Sequence, residues 1–169
     1  MPPFDAELDA VLNDRDRLRA LRASHLMDSP HEKIFDDVTS SICDRLDVPM
    51  SLVTLIAPGR QFFKSSRGLP FDITLNRETP IADSTCQYVV KKDGLLVIDD
   101  VSADPFFSMH EGLNGVGAGS YLGTPLRLFG QAIGSVCAVD IRPRKWTEEE
   151  IVFLEGKALM LSTEVGRRG

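Results

Sequence analysis

Three cysteines, Cys43, Cys86 and Cys137, carry the sharpest chemistry this sequence offers. Ser84 is suited to cap a short helix with Gln87 as its capping-box partner, which puts Cys86 in the first turn. There the helix dipole and free backbone N–H groups favour a thiolate, the form that does redox chemistry or attaches a chromophore. Cys43 falls on a helical apolar stripe and Cys137 in mid-strand, which are positions of buried, inert thiols. No C-x-x-C spacing occurs, so neither a disulfide framework nor a zinc site is expected. His25, His31 and His110 lie far apart in sequence without acidic or sulfur neighbours at ligand spacing, and no metal is expected. Asp99, Asp100 and Asp104 cluster around one segment, where turn chemistry is favoured over contact with a ligand's amine or amide. Phe106, Phe107 and Tyr121 are the apolar wall candidates for a small-molecule pocket. No glycine-rich phosphate loop, Ser–His–Asp order or catalytic carboxylate pair is found.

The elements that must hold these residues follow from periodicity. Residues 5–23 predict one amphipathic helix, with Leu8, Val11, Leu12, Leu18 and Leu21 inward and Asp14, Arg15, Asp16, Arg17 and Arg19 outward. Ser29-Pro30 with Glu32 predicts the start of a second helix that runs through Leu46. Val48–Ile56 is apolar at almost every position and reads as a strand covered on both faces, with residues 61–66 its hairpin return. Residues 68–83 read as a looser polar stretch, Leu95–Ile98 as a short buried strand, and 101–119 as a binding or a disordered loop. Strands are expected at 120–126 and 133–139, and Thr147 with Glu150 boxes a last helix. Along that helix Ile151, Leu154, Ala158, Leu161 and Val165 step by three and four, the spacing of a coiled-coil seam.

The 169 residues suit one α+β domain. The net charge is −6, with eleven acids against six bases in the first fifty residues. That balance lacks the basic footprint of a nucleic-acid binder. The start carries no basic, apolar leader and no stretch is long enough to span a bilayer, so a reduced, cytoplasmic protein is expected.

Short residue stretches, in order between residues 17 and 140, resemble the GAF domains of bacterial signalling proteins. The resemblance is carried by Leu26-Met27-Asp28-Ser29-Pro30, by residues 48–55 and by Gln61-Phe62-Phe63-Lys64-Ser65. It continues in Ser84-Thr85-Cys86, in residues 97–106, in Tyr121–Leu126 and in Gly134–Asp140. It implies a central antiparallel sheet of five or six strands, helices of both chain ends on one face, and a pocket under loops on the other. On this basis residues 1–28 are a helix and linker, 29–146 the core, and 147–169 a helix packing on the core or in a dimer bundle. The implied pocket draws on Phe63, Cys86, Asp100, Asp104, Phe106, Phe107, His110, Tyr121, Thr124 and Cys137. The implied dimer face draws on Leu8, Val11, Leu12, Ile151, Leu154 and Leu161. The function this implies is a non-catalytic sensor that binds an unidentified small molecule, works as a homodimer, and acts on a kinase, cyclase or other regulator in cis or trans. Gln87 stands where bilin-binding relatives commonly have histidine, and haem ligation would fall to His110 alone. The Asn-Lys-Phe-Asp-Glu signature of cyclic-nucleotide binders is absent. Free methionine sulfoxide reductases share the fold but would need a resolving cysteine within 101–119, where none occurs. A redox enzyme of that kind and an interaction module with a collapsed pocket are the two alternatives.

Overall fold

A computed structural model describes residues 4–168. Helices α1 (Ala6–Leu12), α2 (Arg15–Ser24) and α3 (Lys33–Leu46) lead into strands β1 (Met50–Ile56) and β2 (Arg60–Arg67). Helix α4 (Phe71–Asn76), strand β3 (Glu78–Pro80), helix α5 (Cys86–Lys92), strand β4 (Leu96–Ile98) and helix α6 (Glu111–Gly115) follow. Strands β5 (Ser120–Leu128) and β6 (Gln131–Asp140) and helix α7 (Glu148–Arg168) complete the chain. All pairings in the six-stranded sheet are antiparallel, in the order β3-β2-β1-β6-β5-β4. The α+β class and the antiparallel sheet are as the sequence implies.

Every residue of β1 is buried, because both faces of the sheet are covered. On one face α2, α3 and α7 pack Leu21, Phe35, Ile42, Leu154 and Leu161 against Val53, Leu122 and Val136. On the other, α1, α5 and α6 cover Leu52, Phe63, Tyr121 and Cys137. The edges are three-residue strands, which limits the unpaired backbone open to another chain. Leu95–Ile98, expected as a buried strand, supplies one of these edges, and Val97 is 39% exposed.

The first helix departs from expectation. It breaks at Asn13-Asp14, where the Asp14 carboxylate caps α2 by accepting from Arg17 N. Two helices result, on opposite faces of the sheet. Arg17, expected in solvent, is buried at the break and donates to the carbonyls of Val11, Leu12 and Ile56 at 3.1, 2.8 and 2.8 Å. Burial lowers its pKa to about 10, against a raising influence from Asp14. Helix α3 begins at Lys33 rather than Pro30, because Ser29 Oγ donates to Leu26 O instead of capping it. Lys64 is the unpaired residue of a β-bulge opposite Val53 and Thr54. Its buried ammonium donates to Ser29 Oγ and Pro30 O and pairs with Glu32 at 2.6 Å. Arg168 of α7 meets the same Glu32 at 2.8 Å, so this carboxylate ties both chain ends to the sheet. The Thr147–Glu150 capping box forms in both directions.

The expected dimer seam is occupied within the chain. Leu154 and Leu161 are buried against the sheet, and Ile151 packs partly buried on the same core. Leu12 is buried, and Leu8 and Val11 lie against it in the core that α5 covers. Leu12, Leu154 and Leu161 therefore offer no free face to a second copy, while Leu8, Val11 and Ile151 are half-buried. The 3,4 spacing measures one buried stripe, and a sheet fills such a stripe as well as a partner helix does.

Candidate functional site

A cavity of about 230 Å³ lies between the sheet and the segments covering its second face. Its floor is apolar: Met50 and Leu52 of β1, Phe63 of β2, Tyr121 of β5 and Val139 of β6. Period-two alternation sends these side chains to one face, away from Val53, Leu55 and Leu122. The roof comes from two separate stretches. Leu69, Ile73, Thr79 and Asp83 belong to residues 68–83, and Glu111, Gly112, Leu113 and Val116 to α6 and its end. Thr85 and Cys86, where α5 begins, close the inner end. The roof segments touch closely at Gly112, where a Cβ would sit 1.8 Å from Asp83 O.

Gln61 and Ser84 hold the inner wall. Ser84 Oγ accepts from Gln87 N and donates to Gln61 Oε1 at 2.7 Å, while Gln61 Nε2 donates to Thr79 Oγ1. Gln87 turns its amide onto the carbonyls of Ile81 and Ser84, so the expected box is half made. Two carboxylates, Asp83 and Glu111, line the cavity, while no lysine, arginine or histidine does. Neither carboxylate has an ion-pair partner among the described residues.

Cys86 reaches the cavity from one side and meets a second thiol on the other. Its Sγ lies 3.1 Å from Tyr121 Oη and 4.0 Å from Cys137 Sγ. The buried Thr54 and Ser135 hydroxyls, which have no hydrogen-bond partner, complete this cluster under the cavity. The Cys137 thiol, against the cost of burial and with help from Ser135, Tyr121 and Thr54, brings Cys86 down to about 7. Burial first, and then the hydrogen bond with Cys86 and its charge, push Cys137 well up. Tyr121 lies over Gly123, where a Cβ would come within 2.7 Å of its Oη.

Of the residues expected at the pocket, Phe63, Cys86 and Tyr121 line the cavity. The others do not, each for a local reason. Asp100 accepts from the Ser102 N and Oγ, and Asp104 accepts from the Phe106 and Phe107 amides, so both close turns. Phe106 and Phe107 stack edge-on against Tyr88, with centroids 5.1 and 5.6 Å away, and make an aromatic cluster outside the cavity. His110 is buried beside that cluster, its Nε2 without a partner, and burial lowers its pKa despite Asp83 and Glu111. Thr124 pairs with Val136 and falls on the opposite face, by the alternation of β5. Cys137 lies behind Cys86 rather than on the wall. The residues missed were Asp83, Glu111 and the 68–83 roof. Leu69 and Ile73, four apart, were the signal of a covering segment, while Phe71 and Leu75 beside them stay exposed.

Among the described residues, no cluster of three or more His, Cys, Asp or Glu gathers to hold a metal, and no helix is long and apolar enough to cross a membrane. The family model described as the GAF domain matches residues 30–165. A cyclic di-GMP phosphodiesterase of Pseudomonas aeruginosa is 28% identical over 143 residues, which are 83% of this chain but 24% of that protein, so the chain spans about a quarter of that relative's length. Among solved structures, the GAF domain of a phosphoenolpyruvate-protein phosphotransferase from Coxiella burnetii matches with a TM-score of 0.68 at 18% identity, covering 92% of this chain and 95% of that one. The free methionine-R-sulfoxide reductase of Neisseria meningitidis matches at 0.64 and 16% identity, over 90% of both chains. These two likenesses concern the fold alone.

Proposed function

The chain belongs to the GAF domain family, and we propose that it is a non-catalytic, cytoplasmic sensory domain that binds a small molecule in the cavity between β1, β2 and α6. The reading rests on one observation: an apolar floor facing a roof that carries two unpaired carboxylates and no base. A negative wall of this kind repels phosphates and carboxylates and attracts an amine or another donor-rich head group. The volume, about 230 Å³, exceeds the roughly 150 Å³ cavity that takes up benzene and suits one substituted ring. A tetrapyrrole or a dinucleotide is too large for it.

Phenethylamine and phenylacetate, equal in ring and opposite in charge, are the probes that test this. Calorimetric titration is expected to give the amine a Kd on the order of 1 mM or tighter and the acid none measurable. Val116→Trp fills the cavity from its half-buried rim and is expected to abolish amine binding. Equal binding of the acid sinks the charge argument; no binding of either probe sinks the ligand reading.

Output through paired copies would use the outer side of α7, where Val152 and Leu159 are more than half exposed and Met160 nearly so. Sedimentation at micromolar concentration is expected to show a dimer that Leu159→Glu dissociates; a wild-type monomer would end this part of the reading. A reductase reading rests on the Cys86–Cys137 pair. Thiol-dependent loss of free methionine-R-sulfoxide, abolished by Cys86→Ser, would replace the non-catalytic reading.

A further inference from the structure

We propose that Cys86 and Cys137 form a peroxide-reactive dithiol that closes to an intramolecular disulfide beneath the cavity, independently of any ligand the cavity takes. The two sulfurs stand 4.0 Å apart, one on the first residue of α5 and the other in the middle of β6. Bond formation at about 2.05 Å needs roughly 2 Å of approach, within reach of a side-chain rotation with a small shift of α5. Both thiols are shielded from bulk solvent, at 1% and 0% exposure. Cys86 nevertheless lines a cavity that admits water-sized molecules, and hydrogen peroxide is little larger than water. Cys137 has no such access, so the order of reaction follows from the geometry.

The Cys86 thiolate attacks one peroxide oxygen. An S–O bond forms, the O–O bond breaks, and the departing hydroxide takes the thiol's proton to leave as water. Cys86 is then a sulfenic acid, oxidised by two electrons. Cys137 attacks that sulfur, the S–S bond forms, the S–O bond breaks, and the hydroxyl leaves as a second water with the Cys137 proton. Two thiols and one peroxide give one disulfide and two waters. The hydroxyl of Tyr121, 3.1 Å from Cys86, is placed to donate to the thiolate before the first step. Cys43 is buried on the opposite face of the sheet, in a different core, and serves as an internal control.

The test treats the purified chain with hydrogen peroxide, blocks free thiols with N-ethylmaleimide under denaturing conditions, and maps the peptides by mass. The expected result is a linked Cys86–Cys137 peptide pair, two hydrogens lighter than the reduced sum, with Cys43 alkylated and lost on the order of tenfold more slowly. Cys137→Ser is expected to leave Cys86 as a sulfenic acid that dimedone captures, whereas Cys86→Ser leaves Cys137 reduced. Val116→Trp, by closing the route, slows the loss of Cys86. Recovery of Cys86 and Cys137 as alkylated thiols, oxidation of Cys43 at an equal rate, or a linkage between chains overturns the proposal. The wild-type map decides the matter even where a serine variant fails to fold.

Discussion

Arg17→Met is expected to lower the unfolding free energy by about 3 kcal/mol or more. The guanidinium is 2% exposed and spends its donors on four backbone carbonyls, those of Val11 and Leu12 at the end of α1, Ile56 at the end of β1 and, at 3.5 Å, Ala132 of β6. Methionine keeps the bulk and removes every donor, and each carbonyl left without a partner in the interior costs roughly 1–3 kcal/mol. Lysine keeps the charge but offers one ammonium where a planar fork is required, so Arg17→Lys is expected to recover less than half of the loss. Urea unfolding would read this as a lower midpoint at an unchanged slope, equivalent to roughly 6–12 °C in Tm. A midpoint within about 1 kcal/mol of wild type would show that the carbonyls find water and that Arg17 does not hold the two helices to the sheet.

Gly134→Ala is the second large effect and acts on the centre of the sheet. A Cβ there would sit 1.8 Å from the carbonyl oxygen of Thr54 and 2.8 Å from its carbon. Both atoms are backbone of β1, the strand that pairs with β6 along six residues. No rotamer change relieves a clash with backbone, so the strands must part, and with them the floor of the cavity. A cost above about 4 kcal/mol, seen as loss of soluble protein or of near-ultraviolet dichroism, is expected. Gly59→Ala, where nothing lies within 4 Å, is the control and should stay within about 0.5 kcal/mol of wild type. Wild-type solubility and stability for Gly134→Ala would refute the close approach.

The parts legible in the sequence were those governed by local period. The strands β1, β5 and β6, the helices α3 and α7, and the Thr147–Glu150 box follow from spacing within a few residues. So does the preference for turn chemistry at Asp100 and Asp104, since both carboxylates cap amides two or three residues on. Arg17 and Lys64 were not legible. A basic residue on a helix's polar side or in a strand reads as solvated, and only long-range partners, 39 residues away for Arg17 and 35 for Lys64, reveal otherwise. The cavity roof was half legible: the sequence pointed to 101–119, yet residues 68–83 form as much of the wall.

Strand parity and edge position separate the two kinds of knowledge most clearly. Alternation along β5 puts Tyr121 on one face and Thr124 on the other, but which face carries the cavity depends on what covers it. The same limit applies to the three thiols, which look alike as isolated apolar positions. The sequence by itself determined the α+β class and the main strands and helices, because these rest on periods that neighbouring residues enforce, and its short motifs carried the family resemblance. Only the tertiary structure decided that α7's stripe is spent on its own sheet, that Asp83 and Glu111 face one cavity, and that Cys86 and Cys137 come within 4.0 Å. Those facts depend on pairing register and packing between segments far apart in the chain, and no local period encodes them.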